Sequence, residues 1–497
     1  MVRATLRSAV LLGLLACSVP AYAEVQNVKV GGEATVRSFF RKSLRLNEGV
    51  INGTGGGSTT VVDSFTADHG SSGDAFLQQL TAVDVGADLT ENVSTQVRLI
   101  NQRVWGSFAD DATDTPSANA NQVQLSLANV TLKELFYSPL TVTVGRQRLW
   151  FGRGFVVGNR LVRGDNDPDT TLAADEFSDL TAFDAIRGTL DLSGVLGGVP
   201  LVVDGVYAKV DENDVSITGT GDSSRDDANL IGVNLGTKLD SMNSELEAYF
   251  WTKRDRELAF SAGFESEHHP QANTLGFRGS MSPAEGLSTW GELAYQWGRR
   301  ITSSILFDAE GAPGSPFQAW ATDLGLDYTM KGTAWTPTLG GEWIFYSGDE
   351  GNATAIGGWD PIYRGAFSTL LREFQAAGFY MPAQSGATII GSTTYNTITN
   401  STTNQHQLAL HAAVRPLEDL KVDNRLTWFI ADKGVVPAPG AKRENFFGTE
   451  WDVKADYAYT DDVALGLVYG LFLPGNVFRD PFDSSAQELV TSVSVKF

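Results

Sequence analysis

The 497-residue chain has few of the residues that build disulfides, metal sites and acid–base catalysts. It contains one cysteine and five histidines, and its 52 glycines far outnumber its 17 prolines. A single thiol builds neither a disulfide framework nor a cysteine-based zinc or iron–sulfur site. Basic residues are also scarce, with 37 Lys and Arg against 59 Asp and Glu. The resulting net charge of −22 argues against nucleic acid as a partner, because binding phosphates requires a basic face.

Long hydrophobic runs are missing as well. Beyond the first 23 residues no uninterrupted stretch of about 18 apolar residues occurs, so the sequence predicts no transmembrane helix. No Pro-rich or low-complexity linker divides the chain, which favours one large fold over several soluble domains. A membrane span, if the chain has one, therefore has to be made of strands.

The start of the chain has the three parts of an export signal. These are a basic beginning, a short apolar run and a small-residue cleavage site: Arg3 and Arg7, Ala9 to Val19, and Ala21-Tyr22-Ala23. We expect residues 1–23 to be removed and residues 24–497 to form a single domain. Its net charge would be −24, because the signal carries two arginines and no acid. A lipoprotein signal acylated at Cys17 is the alternative.

Strand-length segments with alternating apolar and polar residues fill the remaining chain. In the last segment Leu489, Val493, Val495 and Phe497 share one face, while Ser and Lys side chains occupy most of the other. We count eighteen such segments, an even number. They begin near Val28, Phe76, Val93, Gln122, Leu140, Thr181, Pro200, Ala228, Ser244, Ala272, Leu287, Gln318, Trp335, Gln405, Leu420, Phe447, Val463 and Glu488.

The connections between these segments alternate between short and long. The short ones are rich in turn formers, whereas the long ones are polar and rich in Gly, Asp or Ser. Aromatic residues also lie near segment ends, where a membrane interface would place them: Trp105, Trp150, Trp251, Trp297, Trp428, Tyr457 and Tyr459. A soluble all-β protein such as a propeller would not place aromatics in this way.

These features together predict an all-β fold, a transmembrane antiparallel up-and-down β-barrel of about 18 strands with long external loops. In such a barrel every strand edge is paired, and tight periplasmic turns alternate with long outer connections. We expect this barrel in the outer membrane of a Gram-negative bacterium, in contact with its lipid.

Three consecutive segments resemble a known family. They read Leu132-Lys133-Glu134-Leu135-Phe136-Tyr137, Gly145-Arg146-Gln147-Arg148-Leu149 and Phe183-Asp184-Ala185. This order is similar to that of the alginate-export family of outer-membrane barrels, which carry an aromatic-ended strand, a G-R-Q-x-L strand and an F-D-A-like strand. The resemblance implies an eighteen-stranded monomeric barrel whose Arg-rich constriction passes anionic polysaccharide.

Charged side chains opposite the apolar face should point into the barrel lumen. The predicted pore-lining residues are Arg37, Arg98, Arg146, Arg148, Arg187, Arg278, Arg415, Lys421 and Arg425. Because inward acids nearly balance them, cross-strand pairing that stiffens the wall is the simpler interpretation for most. Arg146 and Arg148 are the sharper hypothesis. They lie two residues apart, about 7 Å along a strand, and guanidinium groups suit carboxylates.

Two long loops carry further patterns. Asp165, Asp167, Asp169 and Glu176 match positions 1, 3, 5 and 12 of a calcium-binding loop, although Thr170 replaces the glycine that such loops require. Calcium is therefore a candidate ligand, and the alternative is a solvated acidic surface. In the longest loop, apolar residues from Phe367 to Ala377 recur at helical spacing. This pattern predicts a helix that constricts the mouth or packs against the loops.

The sequence favours a channel over an enzyme. Neither G-x-S-x-G nor H-E-x-x-H occurs, and no resident cofactor is expected. The leading hypothesis is a monomeric porin for passive diffusion or export of a hydrophilic solute such as an anionic sugar or polysaccharide. The alternative is a structural barrel that sheathes a periplasmic partner, for example an electron carrier.

Overall fold

The structure of the chain is a computed structural model. It describes residues 27–43, 74–105, 123–158, 177–194, 200–211, 228–255, 271–300, 315–349, 357–375, 403–435, 442–478 and 483–497. The expected signal segment lies outside these residues. Among the residues described, no helix is long and apolar enough to cross a membrane.

Eighteen strands form one antiparallel sheet. The first nine are β1 (Asn27–Lys42), β2 (Asp74–Thr90), β3 (Val93–Val104), β4 (Gln124–Leu132), β5 (Leu140–Gln147), β6 (Phe183–Asp191), β7 (Leu201–Asp211), β8 (Ala228–Leu239) and β9 (Ser244–Asp255). The others are β10 (Gln271–Ala284), β11 (Leu287–Arg300), β12 (Ser315–Thr329), β13 (Thr338–Tyr346), β14 (Gln405–Leu417), β15 (Leu420–Val435), β16 (Glu444–Ala458), β17 (Val463–Pro474) and β18 (Ala486–Lys496). Each begins within three residues of its predicted start.

The sheet closes on itself, because β1 pairs with β2 on one side and with β18 on the other. Every other strand pairs with its neighbours in sequence, which confirms the up-and-down barrel. The eight short connections have two to nine residues and lie at one end, here called the turn end. The other connections lie at the opposite end, the loop end, and have between 8 and 58 residues. The shortest of these joins β15 to β16, so the predicted alternation in length is weakest there.

The two faces of the wall differ as the alternation predicts. Large apolar side chains such as Val85, Leu246 and Leu293 are exposed on the outside. Neighbouring residues of opposite parity are buried inside, including Glu292 and Ala294. An apolar exterior around a polar interior is the arrangement that lipid requires of a barrel.

Two predicted interfacial aromatics lie elsewhere. Trp150 packs against Gly154, Gly158 and Gly365, and Trp251 is on the inner face of its strand. Phe250 is exposed on the outside, so Trp251 points inward, where it is buried. Its ring lies against Gly232 of the paired strand, and a Cβ at Gly232 would come within 2.1 Å of the ring. Tyr249 lies over Gly276 in the same way. Nearness to a strand end therefore misplaced Trp251, whereas its parity with Tyr249 gives the observed face.

The last residue, Phe497, extends the pairing between β1 and β18, the first and last strands of the barrel. Phe497 donates its backbone N–H to the carbonyl of Gly32 at 3.0 Å, and its own carbonyl accepts the Gly32 N–H at 2.8 Å. Its side chain is exposed on the outside, beside the place that a Cβ of Gly32 would occupy. Phe497 thus adds the last pair of hydrogen bonds to the β1–β18 seam.

We predict that deleting Phe497 reduces the fraction of refolded chain that runs as a heat-modifiable, sheet-rich barrel on a gel. The deletion removes both hydrogen bonds with Gly32 and leaves this residue without a partner on the β18 side. Phe497→Trp keeps the backbone and an aromatic ring, and should assemble like the parent. An equal folded fraction for the deletion would show that the seam closes without this residue.

Candidate functional site in the barrel lumen

The chain turns into the lumen directly after β5. The segment from Leu149 to Gly158, here the first inward segment, is buried at Leu149, Phe155 and Val157. Phe151 packs on Trp251 of the wall, with ring centroids 4.8 Å apart. Gly152 has φ +55° and lies against the Arg278 side chain, so a larger residue would be strained and crowded there. The apolar, Gly-rich sequence is suited to crossing the lumen because its side chains are buried against inward residues of β6 to β13.

The second inward segment comprises residues 357–375 and runs beside the first. Val157 and Tyr363 form a parallel bridge, in which the Gly158 N–H donates to the Tyr363 carbonyl at 2.8 Å. The Tyr363 N–H donates to the Val156 carbonyl at 3.0 Å. A Cβ at Gly365 would lie 2.5 Å from the backbone of Gly158, so the two segments touch where neither has a side chain.

The second segment ends in a single helical turn held by carboxylates. The turn, Leu370–Gln375, is a π-helix, and the backbone N–H groups of Leu371 and Arg372 donate to the Glu450 carboxylate at 2.5 and 2.8 Å. Leu371 and Glu450 are both fully buried. The predicted helix therefore exists in shortened form and lies inside the barrel; Ala377 lies outside the described residues. By accepting both N–H groups, Glu450 fixes the position of the turn.

Buried ion pairs stabilise the same turn. Arg364 pairs with Glu373 at 2.6 Å, and the Gln407 amide donates to the Glu373 carboxylate at 2.7 Å. Burial by itself would lower the pKa of Arg364, but the charge of Glu373, the hydrogen bond to it and the nearby Tyr346 and Asp323 together outweigh this effect and raise the pKa. Arg372 lies 4.5 Å over the Phe447 ring. Arg364 stays charged at any physiological pH.

A third inward segment, residues 177–180, covers the lumen side of β1 to β4. Its Asp179 carboxylate accepts from Arg98 at 2.7 Å and also contacts Arg148. Phe177 packs on Phe39 with ring centroids 5.9 Å apart. Arg98 therefore joins this segment to the wall, where it also pairs with Glu33 at 2.8 Å and contacts Asp84.

Most predicted pore-lining residues do have inward parity. They are Arg37, Arg98, Arg187, Arg278, Arg415, Lys421 and Arg425. Arg278 pairs with Glu247 at 2.5 Å and is nearly buried, and Arg425 contacts Glu342. For these two, wall stiffening by cross-strand pairs is the better interpretation.

Arg146 requires a correction, because it does not line the lumen. It has the parity of exposed Val144, and its partner Asp184 has the parity of exposed Ile186. The two form a bidentate pair on the outside of the barrel, with both nitrogen–oxygen distances at 3.0 Å. Val144 and Arg146 are two residues apart on one strand, so they share a face and Arg146 points outward with Val144. Arg148 follows the end of β5 and reaches Asp179.

Three arginines have side chains that are more exposed than those of their acidic partners. Arg187 is 30% exposed while Asp204 behind it is 8% exposed. Arg148 is 52% exposed against 15% for Asp179. Arg153 of the first inward segment is 40% exposed and bridges two nearly buried acids, Asp323 at 3.5 Å and Glu342 at 3.3 Å. We call Arg148, Arg153 and Arg187 the exposed arginines. Arg153 and Arg187 present guanidinium groups to the lumen over carboxylates of the wall, whereas Arg148 covers Asp179 of the third inward segment.

Sequence reasoning missed Arg153, Arg364 and Arg372. All three lie in long connections, where strand parity gives no information. Their common signal is a cation next to apolar or aromatic residues, as in Phe151-Gly152-Arg153-Gly154-Phe155. An arginine with such neighbours is seldom fully exposed to solvent, because the apolar side chains beside it are buried and only its charged end reaches a polar partner or water.

The calcium prediction falls on residues that the structure does not describe. Asp165, Asp167, Asp169 and Glu176 all lie between residues 159 and 176. Elsewhere, within the described ranges, no group of three or more His, Cys, Asp or Glu side chains is arranged to hold a metal ion. Calcium therefore stays a prediction for that loop.

Comparison with known proteins places this barrel in a family. The alginate-export family model matches residues 63–492. OccK9 (OpdG) of Pseudomonas aeruginosa has a similar structure, with a TM-score of 0.53 and 13% identity over 95% of this chain and 99% of that one. OpdL of the same species has a TM-score of 0.50 and 13% identity, again over 95% and 99%. No curated protein sequence matches.

At this identity the structural likeness shows the fold alone, whereas the family match covers most of the chain. The loop end of the barrel is accordingly its external end, and the turn end faces the periplasm. The protein belongs to the alginate-export family of porin-like channels and lies in the outer membrane of a Gram-negative bacterium.

Proposed function

We propose that the protein is a passive channel for hydrophilic solutes that carry carboxylates, such as an anionic sugar or a short polyuronate. The exposure of Arg148, Arg153 and Arg187 over their less exposed acids is the observation that supports this. A passing solute meets guanidinium groups first. Their planar forks bind carboxylates in a bidentate manner.

The acids behind the exposed arginines have a role in transport as well. Asp204, for example, accepts from Arg187 at 2.8 Å and fixes the direction of its side chain. It also balances the charge, so that an anion is attracted without being held too tightly. Conduction requires this compromise, because a solute has to leave its site as well as enter it.

The inward segments argue against a barrel that sheathes a periplasmic partner. Residues 149–158 and 357–375 pack against wall residues from β6 to β17, for example through Phe151 on Trp251 and Leu371 on Glu450. A sheathed partner would need the space that these segments occupy. We further propose that the channel works as a monomer, without catalysis and without a resident cofactor.

Ion selectivity tests the proposal directly. We expect the double variant Arg148→Gln, Arg187→Gln to lose preference for anions, so that its reversal potential in a planar bilayer moves toward the cation value. Gradients of potassium chloride and of potassium glucuronate should show the same direction. The effect should weaken at high salt, since charges are screened over about 10 Å at 0.1 M.

Arg146→Gln is the matched control, because Arg146 lies on the outside only two positions from Arg148. Its reversal potential should equal that of the parent channel. If the double variant also keeps the parent reversal potential in both salts, the exposed arginines do not set selectivity and the proposal is wrong.

A second prediction concerns the helical turn Leu370–Gln375. Glu450→Ala removes the acceptor of two backbone N–H groups, at Leu371 and Arg372, and should loosen the second inward segment. We expect higher single-channel conductance with more frequent fluctuations. Asp423→Ala is the control, because Asp423 faces the lumen from the next strand and pairs with Lys421 at 2.8 Å. Identical traces for Glu450→Ala and the parent would mean that the segment does not limit conduction.

A further inference from the structure

The outer surface of the barrel wall carries two exposed arginines on the external side of a pair of interfacial aromatic residues. On β9 and β11 the exterior aromatics Phe250 and Trp297 contact each other, with ring centroids 5.9 Å apart. Interfacial aromatics of this kind lie at the level of the lipid headgroups. Beyond them toward the external end, on the same outward parity, come Arg254 and Arg299, both exposed. Each arginine therefore lies just outside the hydrocarbon layer.

The strand register brings the two arginines together. Arg254 of β9 and Arg299 of β11 both pair with Gln271, which lies on β10 between them. Two antiparallel steps of about 4.5–5.5 Å place their Cα atoms about 10 Å apart. Arginine side chains are long enough to converge over that distance, and the Gln271 amide lies between them.

In the described part of the outward face no acidic residue neighbours this pair. The flanking residues in the same row are Asn229 on β8 and Pro316 on β12. Among the described residues of β9 to β11, none of outward parity is acidic. The chain as a whole has a net charge of −22, so a cluster of positive charge is not what its composition would lead one to expect.

The next cations along the row show the contrast. Lys209 of β7 and Arg146 of β5 lie on either side of Asp184 of β6, and Arg146 forms an ion pair with it. Arg146 lies 6 residues beyond the start of β5 at the turn end, and Arg299 lies 12 residues beyond the start of β11, so the row climbs from Arg146 toward Arg299 as strand tilt requires. The deeper end of the row therefore contains an acid, whereas the described residues of its outer end, from Asn229 to Pro316, include none.

We propose that Arg254 and Arg299, with the Gln271 amide between them, bind a phosphate group of the phosphorylated glycolipid in the external leaflet of the outer membrane. Arginine is suited to this, because its fork makes paired, charge-assisted hydrogen bonds to phosphate oxygens. Phe250 and Trp297 contact the same lipid where its headgroup meets its acyl chains. This surface lies outside the barrel and is independent of what the lumen conducts.

Native mass spectrometry of the full chain in detergent tests this binding with purified lipid A as the probe. The double variant Arg254→Gln, Arg299→Gln should bind bisphosphorylated lipid A at least tenfold more weakly than the parent. The control Lys133→Gln, Lys331→Gln removes the same charge from exposed residues of two periplasmic turns, and should bind like the parent. Parent affinity in the arginine variant would overturn the proposal.

A second measurement uses only the parent protein, in case the arginine variant does not assemble. Dephosphorylated lipid A with the same acyl chains should bind at least tenfold more weakly than the bisphosphorylated form. The difference should shrink as salt rises, because exposed charges are screened. Equal affinity for the two lipids would show that acyl chains alone drive binding, and would also overturn the proposal.

Discussion

Backbone hydrogen bonding in lipid is the constraint on which the rest of this structure depends. Lipid offers no partner to a peptide N–H or C=O, so each strand has to be paired on both edges and the sheet has to close. Here β1 lies between β18 and β2, and the hydrogen bonds of Gly32 with Phe497 complete the closure. Once the sheet is closed, the alternation of side chains fixes one apolar exterior and one polar interior.

A polar interior of this kind raises an electrostatic problem, which the protein solves by layering. Lumen carboxylates such as Asp204 and Glu342 lie close to the wall, and arginines cover them from the lumen side. The inward segments use the same chemistry, since Glu450 accepts the N–H groups of the helical turn and Asp179 joins the third segment to Arg98. Charge pairing thus shapes the lumen and leaves guanidinium groups at its surface.

Strand positions could be predicted from the sequence because period-two alternation is a local signal. All eighteen strands begin within three residues of the prediction, and parity places Arg187 and Arg278 inward. The errors arose where parity was set aside. Trp251 was assigned by nearness to a strand end, and Arg146 was grouped with the inward charges although it shares the parity of Val144.

The positions of the inward segments could not be predicted from the sequence, for a different reason. Their positions depend on contacts between distant parts of the chain, such as Val157 with Tyr363 and Arg153 with Glu342. No local pattern encodes such a contact. The apolar spacing around Leu370 and Leu371 correctly indicated a helical turn with a buried face, but only the fold shows that Glu450 receives it.

The lumen presents arginines over less exposed carboxylates, and the most direct test is to locate bound anions and cations in a crystal. Crystals of the full chain soaked in bromide, with a parallel soak in rubidium, would locate each ion by anomalous scattering. Bromide is expected in the lumen beside Arg153 and Arg187, with no rubidium there. Rubidium at those positions, or bromide confined to the outside of the barrel, would contradict an anion-attracting lumen.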